Sequence, residues 1–428
     1  MKNRYYIETY GCQMNFALSD QLTKELEKIG MKEVYKPEIA DLIIVNACSV
    51  RKHAEDKVFN RINILNSLKK KNKNLKIIVT GCFAQNQKEK IKADFVLGTY
   101  KISEIPKIIT NGKEKYINTD FDQYKFLKPV RNRELPFQAY IDITVGCNNF
   151  CSYCIVPYLR GPQISRRSKE IIEDAKRLAD EGVVELFLLG QNVNSYGKDN
   201  NEIGFAELLY KIHNIDGIKR IKFLTSHPKD FNDEIIDAVC NLEKVSKWFH
   251  LPIQSGSDRI LKLMNRKYTV EHYLRIIEKI KSYKIDFAIS TDFLVGFPSE
   301  TEEDFLKTIE IAEKIKFDEA FMFKYSDRNY TASYSFENKI SEEVKNERLK
   351  TLIEIQNRIE KENIKKHIGK ERNILIEMIS KRNSEQILGR DELNRTVILK
   401  NENLKIGNFY KAKIVDYKGI TLIGELLV

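Results

Sequence analysis

The sequence predicts an α/β protein in three parts: an N-terminal domain with an open parallel sheet over residues 1–124, a central partial barrel of six β/α units over 133–365, and a small antiparallel, OB-like β-barrel over 366–428. Three observations predict this. The first part contains short continuous apolar runs, which are typical of parallel strands covered on both faces. From Phe137, strand and helix patterns alternate about six times. From His367, the chain changes to short β-rich runs separated by turn residues.

Composition limits the class of protein. Of the 428 residues, 42% are hydrophobic, which is enough for real cores. The net charge of +11 favours an acidic partner. Lys is abundant throughout, so the charge alone is weak evidence for nucleic acid. No apolar run is long enough to span a bilayer, and the chain opens directly on a strand-like pattern. Seven cysteines without a disulfide-type framework fit a reducing compartment, so we expect a cytoplasmic protein without membrane contact.

The first domain begins with four predicted strands. A helix capped by Ser19 and ended by Gly30 follows the first strand, and a second helix covers 57–70. The strands themselves are Arg4–Tyr10, Leu42–Asn46, Lys76–Thr80 and Asp94–Leu97.

Three of these strands end at a cysteine: Cys12, Cys48 and Cys82. The carboxyl ends of parallel strands meet at one edge of a sheet, so these thiols can converge although they are far apart in sequence. We interpret them as the ligands of a three-thiolate iron-sulfur cluster. A zinc site completed by His53, or three buried thiols without a ligand role, are the alternatives.

A second group of thiols lies close together in sequence. Cys147, Cys151 and Cys154 have a C-x3-C-x2-C spacing directly after the first strand of the barrel, with no fourth cysteine nearby. Structural zinc normally takes four protein ligands, so three thiols fit zinc poorly. An iron-sulfur cluster held by only three thiolates keeps one iron open for an outside ligand. The spacing therefore predicts an iron-sulfur cluster with an open coordination position.

The central part carries six predicted strands whose carboxyl ends are unusually polar. Amide and hydroxyl groups there can hold a polar cofactor, although Gly, Asn and Ser are also common in any βα loop. The strands are Ala139–Val145, Glu185–Gly190, Arg220–Thr225, Trp248–Ile253, Asp286–Val295 and Glu319–Tyr325.

Between these strands, Ser168 is predicted to cap one helix and Ser299–Glu302 to form a capping box for another. Ser341 to Lys366 is predicted to be a long charged helix. His227 is interpreted as a structural histidine and Cys240 as a buried thiol on a helix.

The tail is predicted to contain five short strands. Small barrels of this OB-like type commonly bind single-stranded nucleic acid. From Lys366 onward, 12 basic residues face 8 acidic ones, a modest surplus that is consistent with phosphate contacts. The strands are Asn373–Met378, Gln386–Gly389, Thr396–Leu399, Tyr410–Val415 and Thr421–Leu427.

Over essentially its full length the chain resembles the methylthiotransferase branch of the radical S-adenosylmethionine (SAM) enzymes, and within it the MiaB type. The segments that carry the resemblance are Tyr10–Asn15, Asn46–Arg51, Thr80–Cys82, Cys147–Cys154, Arg160–Gly161 with Ser165–Arg166, Leu189–Tyr196 and Leu251–Asp258. Three departures stand out: Ala47 replaces the usual Thr, Val145 stands where a polar residue is frequent, and Asp327–Ala332 lacks the family's Pro-Gly-Thr turn.

The resemblance implies two [4Fe-4S] clusters, SAM as cofactor and a C-terminal TRAM domain. In this interpretation Cys147, Cys151 and Cys154 hold the catalytic cluster, and Cys12, Cys48 and Cys82 hold an auxiliary cluster that carries sulfur. The residues implied to line the SAM pocket are Tyr153, Gln191, Asn192, Ser226, Gln254 and Val295.

The implied reaction adds a methylthio group at C2 of N(6)-isopentenyladenosine next to the tRNA anticodon. The implied partners are the anticodon stem-loop and an electron donor such as flavodoxin or ferredoxin, with the chain acting as a monomer. A relative that modifies threonylcarbamoyladenosine or a ribosomal protein is one alternative. A non-catalytic iron-sulfur protein that binds RNA is an alternative of another class.

Overall fold

The computed structural model describes residues 3–49, 52–111 and 115–427, and the side chains of all of these except 52–54. The His53 side chain considered as a zinc ligand therefore lies outside the described residues. Within the described part, no helix is both long enough and apolar enough to cross a membrane.

The fold consists of three successive α/β and β units, as the sequence predicts. The strands are β1 Arg4–Tyr10, β2 Lys32–Glu33, β3 Leu42–Ala47, β4 Lys76–Thr80, β5 Phe95–Leu97, β6 Tyr116–Asn118, β7 Gln138–Asp142, β8 Thr144–Val145, β9 Ile164–Ser165, β10 Glu185–Leu189, β11 Arg220–Phe223, β12 Trp248–His250, β13 Ala288–Val295, β14 Glu319–Lys324, β15 Glu371–Ile379, β16 Gln386–Arg390, β17 Thr396–Lys400, β18 Phe409–Lys418 and β19 Thr421–Leu426. The helices are α1 Gln13–Lys28, α2 Lys52–Ser67, α3 Cys82–Gln87, α4 Ile105–Thr110, α5 Val156–Arg160, α6 Ser168–Asp180, α7 Phe205–His213, α8 Asp233–Asn241, α9 Asp258–Leu263, α10 Val270–Ser282, α11 Glu302–Ile315 and α12 Glu342–Ile364.

The N-terminal sheet is parallel, in the order β2-β1-β3-β4-β5-β6. The prediction that Ser19 caps the first helix is wrong. Helix α1 begins at Gln13 with Cys12 as its N-cap residue, and Ser19 is a buried residue in its interior. The Ser19 hydroxyl is tied down there, accepting hydrogen bonds from Thr9 Oγ1 at 2.7 Å and from Asn46 Nδ2 at 3.0 Å. A hydroxyl that caps in many helices therefore serves here to join α1 to the sheet.

The central unit is an open barrel built from two three-stranded parallel sheets, β7-β10-β11 and β12-β13-β14. A parallel bridge between Ile221 and Val245 links the two sheets. The main apolar core of the protein fills the space between these strands and helices α6, α7, α8, α10, α11 and α12.

Two predicted caps in this unit need correction. Helix α6 has Arg167 rather than Ser168 as its N-cap residue, without a side-chain cap. The capping box of α11 pairs Thr301 with Asp304, because Thr301 Oγ1 accepts from the Asp304 amide while the Asp304 carboxylate accepts from the Thr301 amide.

The C-terminal unit is a closed barrel in the order β15-β16-β17-β19-β18. Its pairs are antiparallel except for β17 and β19, which run parallel, so the expected fully antiparallel barrel needs this correction. The barrel docks on the central unit through the buried Arg220, whose guanidinium donates to the carbonyl oxygens of Asn373, Arg390 and Asp391 at 2.8–3.0 Å. A buried cation that meets three carbonyls fixes the position of the small barrel.

Candidate active site

Cys12, Cys48 and Cys82 meet at the carboxyl edge of the N-terminal sheet. Strands β1, β3 and β4 are neighbours there, and each thiol follows the end of one strand. The Cys48 thiol lies within hydrogen-bonding reach of both Cys12 and Cys82. Gly11 makes this approach possible, because a Cβ atom at Gly11 would lie 2.3 Å from the Cys48 Cβ. The structure thus brings together three thiols that are distant in the sequence: Cys12 and Cys48 are 36 positions apart, and Cys48 and Cys82 are 34 positions apart.

The electrostatics of this dispersed triplet favour thiolates. The hydrogen bond from Cys48 lowers the pKa of Cys12 to about 5 and that of Cys82 to about 7, and the charge of Arg160 acts in the same direction. The same two contacts raise the pKa of Cys48. Arg160 is 4% exposed, and its Nε donates to Cys82 Sγ at 3.2 Å. A buried guanidinium beside thiols compensates negative charge that would otherwise be costly to bury.

The local triplet, Cys147, Cys151 and Cys154, lies directly after β8 at the mouth of the barrel. Burial raises the pKa of Cys147, and it raises that of Cys154 to about 12. Cys151 has two close partners: Arg266 Nη1 donates to its Sγ at 3.4 Å, and His227 Nε2 lies 3.9 Å from it. Among the described residues, Arg266 is the cation in hydrogen-bond contact with this triplet, and desolvation disfavours ionisation of Cys147 and Cys154.

Helix α5 connects the two triplets. It begins two residues after Cys154, and its Leu159 packs with Ile155 against Cys82. Arg160, the last residue of α5, donates to Cys82 and also to Asn15 Oδ1 at 3.3 Å, close to Cys12. The dispersed and local triplets are therefore parts of one connected site.

The six residues predicted for a SAM pocket each end or follow a strand of the central unit. Ser226 and Asn192 are buried, and within the described part of the chain Ser226 Oγ and Asn192 Oδ1 have no hydrogen-bond partner. Gln254 is buried with φ +70°, and Val295 is buried at the end of β13. Two buried oxygen atoms without partners are what an absent polar ligand would leave.

Tyr153 and Gln191 have partners of their own. The Tyr153 hydroxyl lies 3.4 Å from Arg266 Nη1. The Gln191 side chain accepts from the Gly146 amide at 2.5 Å and donates to Met14 Sδ at 3.0 Å. Gln191 therefore links the local triplet to the N-terminal domain.

Sequence reasoning missed three partners of the cysteines. Arg266 carried no motif, and only its burial at 5% exposed beside Cys151 identifies it. His227 was interpreted as structural, and its Nδ1 does accept from the Lys229 amide at 3.2 Å, but its other nitrogen faces Cys151. Arg160 was noted only as part of a segment. The sequence feature that points to Arg160 is its place six residues after Cys154, in the segment that forms α5.

Each triplet fits an iron-sulfur cluster better than a single closed metal site. Each triplet offers three thiols, and cluster iron prefers thiolates. Beside the local triplet, His227 Nε2 lies 3.9 Å from Cys151 Sγ while its Nδ1 accepts from the Lys229 amide. Among the described residues, no three His, Cys, Asp or Glu side chains are grouped as ligands of one metal ion. Cys240, the seventh thiol, is buried on α8 among apolar residues, as predicted.

Three family models match the chain. Residues 4–98 match "Uncharacterized protein family UPF0004", residues 141–312 match the radical SAM superfamily, and residues 365–427 match the TRAM domain. A radical SAM methyltransferase, TsrM, from Kitasatospora setae has a similar fold, with a TM-score of 0.58 at 13% identity over 78% of this chain and 75% of that one. A cobalamin-dependent radical SAM enzyme, OxsB, is similar with a TM-score of 0.52 at 12% identity over 82% and 56%.

Curated proteins show much higher similarity. The tRNA-2-methylthio-N(6)-dimethylallyladenosine synthase of Thermoanaerobacter pseudethanolicus is 47% identical over 100% of this chain and 93% of its own length. The proteins of that name from Dictyoglomus thermophilum and Clostridium botulinum (strain Langeland) are 44% and 41% identical, over 99% and 98% of this chain and 98% and 96% of their own lengths. Radical SAM membership implies a [4Fe-4S] cluster and SAM. The chain belongs to the tRNA-2-methylthio-N(6)-dimethylallyladenosine synthase family of radical SAM enzymes.

Proposed function

We propose that this enzyme inserts a methylthio group at C2 of N(6)-isopentenyladenosine beside the tRNA anticodon. The observation that supports the proposal is helix α5, which begins two residues after Cys154 and contacts Cys82 through Leu159 and Arg160. A reaction that needs both a radical and a sulfur donor requires two reactive centres near one substrate atom. One connected pair of thiol sites meets this requirement.

The local triplet would hold the cluster that works with SAM. When bound, this pair supplies radical chemistry that can remove an unactivated hydrogen from an adenine ring. Cys147, Cys151 and Cys154 provide three thiolates and leave one iron for an outside ligand. Ser226 and Asn192 offer unpaired oxygens to a polar cofactor, and Tyr153, Gln191, Gln254 and Val295 would line the rest of its pocket.

The dispersed triplet would hold the auxiliary cluster. Cys12 and Cys82 have lowered pKa values, so these thiols are poised as thiolate ligands before any metal arrives. Arg160 stays charged between Cys82 and Asn15 and balances the negative charge there. Arg160 belongs to the helix that follows Cys154, so its contact with Cys82 joins the segments of the two triplets.

The substrate would be the anticodon stem-loop, whose unpaired bases can be reached without opening a duplex. The C-terminal barrel would add phosphate contacts that do not depend on sequence. A reduced flavodoxin or ferredoxin would supply electrons to a monomeric enzyme in the cytoplasm, where thiols stay reduced.

The decisive experiment is analysis of tRNA nucleosides from a strain that lacks the gene, with and without the gene supplied again. We expect 2-methylthio-N(6)-isopentenyladenosine to disappear and the unmethylthiolated nucleoside to accumulate, and the supplied gene to reverse both changes. An unchanged nucleoside profile would contradict the proposal and favour a protein substrate. Absence of 5′-deoxyadenosine when the reduced enzyme meets SAM would instead indicate a non-catalytic RNA-binding protein.

A further inference from the structure

Three aromatic side chains lie exposed beside the thiol sites. Phe150, Tyr158 and Tyr330 are 50%, 38% and 65% exposed. The ring centroids of Phe150 and Tyr158 are 6.2 Å apart, and those of Tyr158 and Tyr330 are 6.4 Å apart at an interplanar angle of 31°. These three residues form a row of rings, here called the aromatic platform. Large apolar rings in contact with each other but open to solvent are typical of binding surfaces.

The backbone of the platform is in an unfavourable conformation. Phe150 has φ +47° and Tyr330 has φ +71°, in the left-handed region that bulky residues rarely adopt. Tyr330 lies in the Asp327–Ala332 loop, which lacks the Pro-Gly-Thr turn of the family that the sequence resembles. A glycine would adopt this turn without strain, so this chain places a large ring where a small residue would be more stable. Strain of this kind is often retained at functional sites.

The loop that carries Tyr330 is attached to both triplets. On one side, the Ser333 amide donates to the carbonyl of Ser152, which lies between Cys151 and Cys154, at 2.8 Å. On the other side, Arg328 Nη1 lies 3.8 Å from Glu55 Oε2, and Glu55 accepts a hydrogen bond from Ser49, the residue after Cys48. The loop that carries Tyr330 therefore contacts the segment of the local triplet on one side and, through Glu55 and Ser49, the segment of Cys48 on the other.

Basic side chains lie next to the platform. Lys229 Nζ donates to Asn149 Oδ1 at 2.7 Å, directly beside Phe150. Asn265 Nδ2 donates to the Phe150 carbonyl at 2.9 Å, and the exposed Lys267 follows two residues later. Exposed rings with ammonium groups at their edge suit a ligand that has both flat bases and phosphates. The net charge of +11 agrees with such a ligand.

We propose that the aromatic platform stacks the unpaired nucleobases that flank the target adenosine in the RNA loop. This inference rests on the proposed function and adds to it a specific contact by which the loop is held open. Every base has a flat face, so stacking binds the loop without dependence on its sequence. The lysines at the edge contact the backbone of the same nucleotides.

The test is binding of a fluorescently labelled anticodon stem-loop RNA to the full-length, cluster-loaded chain, measured by anisotropy. Stacking of one base on an aromatic side chain gives about 5-fold or more in affinity. Y330A and Y158A should each weaken binding by at least about this factor, whereas Y330F should bind like the wild type. The matched control is Y210A, since Tyr210 is 44% exposed on α7 of the barrel's outer ring and should not change the affinity.

Y330G separates a binding role from a structural one. This variant removes the ring and also relieves the left-handed strain, so its thermal midpoint should equal or exceed that of the wild type while RNA binding weakens as in Y330A. RNA affinity unchanged in both Y330A and Y330G would overturn the platform and favour a protein partner at this surface. A wild-type chain that fails to bind the stem-loop would instead overturn the proposed function together with the platform.

Discussion

The dispersed and local triplets are chemically alike but are built in opposite ways. Cys147, Cys151 and Cys154 lie within eight consecutive residues, so they stay near one another in any conformation of the chain. Cys12, Cys48 and Cys82 span 71 residues and meet only when three strands pair side by side. The local site is therefore a property of sequence spacing, whereas the dispersed site is a property of the folded sheet.

The two sites also differ in charge. Burial raises the pKa of Cys147 and Cys154 in the local triplet. In the dispersed triplet the Cys48 hydrogen bonds and Arg160 lower the pKa of Cys12 and Cys82. Each site has one buried arginine in contact with a thiol, Arg160 beside Cys82 and Arg266 beside Cys151, and both arginines come from the central unit. In the dispersed triplet the pKa of Cys48 is raised, so two of its three thiols are favoured as thiolates, whereas burial disfavours ionisation of Cys147 and Cys154 in the local triplet.

Replacing one cysteine of each triplet tests most directly whether the two triplets hold separate clusters. C151A and C82A should each lose about half of the iron after anaerobic reconstitution, because in the proposed function each triplet holds its own cluster. C82A should still cleave SAM to 5′-deoxyadenosine, whereas C151A should not. Iron and sulfide analysis with product chromatography checks both results. C240A, which changes the buried thiol outside both triplets, is the control and should keep all of its iron. Loss of all iron, or of none, in either ligand variant would contradict two separate clusters.

A change at Gly11 tests whether only the dispersed site depends on exact strand packing. In G11A the new methyl group would lie 2.3 Å from the Cys48 Cβ, so β1 or the Cys48 loop has to move. We expect iron to fall toward half of the wild-type content, while SAM cleavage at the local site persists.

The control for this change is G30A. Gly30 has φ +79° but no atom within 4 Å of the added Cβ, so this variant should lose only about 1–2 kcal/mol of stability and no iron. Full iron content in G11A would show that the dispersed site tolerates displacement of its strands.

Asp142 lies where the two regions meet, at the end of β7, and accepts a hydrogen bond from Gln21 of α1 at 3.5 Å. Burial raises its pKa to about 6. A carboxyl with a raised folded-state pKa stabilises the protein fully below its unfolded pKa, and this contribution is lost as the pH rises through about 6. D142N should therefore gain about 2 kcal/mol relative to the wild type between pH 4 and pH 7.

Urea unfolding of both proteins at each pH measures this difference directly, because contributions that they share cancel. D20N is the comparison variant within the N-terminal domain, since burial raises the pKa of Asp20 to about 6 as well, but Asp20 pairs with Arg133 at 3.0 Å. Removing that ion pair should offset the gain. A stability difference between D142N and wild type that is constant with pH would rule out a buried proton at Asp142.

The smallest expected effect lies outside both sites. Lys411 and Lys413 are exposed on one face of β18 in the C-terminal barrel. The K411A/K413A double variant should bind the stem-loop RNA a few-fold more weakly. The slope of log affinity against log salt concentration should fall in magnitude by about 2, as expected for the loss of about two phosphate contacts. Its iron content should equal that of the wild type. An unchanged salt slope would exclude this strand from the RNA-binding surface.

Much of the fold could be predicted because its local patterns agree with its tertiary structure. Strands β3 and β4 are continuous apolar runs, and the structure buries both. The start of α1 could not be predicted in this way. Ser19 has the residue type of a cap, but its hydroxyl bonds to Thr9 and Asn46 from inside the helix. Residue type indicates what a hydroxyl can do, whereas its neighbours in space decide which of these it does.

The residues around the thiols show the same limit. Arg266 contacts Cys151 although 115 positions separate them, and Arg160 contacts Cys82 across 78. No spacing rule reaches that far, because these contacts depend on how strands and helices pack. Tyr330 could be noticed as an unusual residue in its loop, but its place beside Tyr158 became visible only in the structure.

The sequence by itself determined the chemistry: six thiols in two sets, the alternation of strands and helices, and the polar strand ends. Tertiary structure decided the geometry. It brought Cys12, Cys48 and Cys82 to one edge of the N-terminal sheet, placed Arg160 of α5 against Cys82, and put the exposed rings of Tyr158 and Tyr330 side by side. The physical reason is that ligand identity belongs to single residues, whereas convergence, burial and counter-charge arise only when distant segments share one packed core.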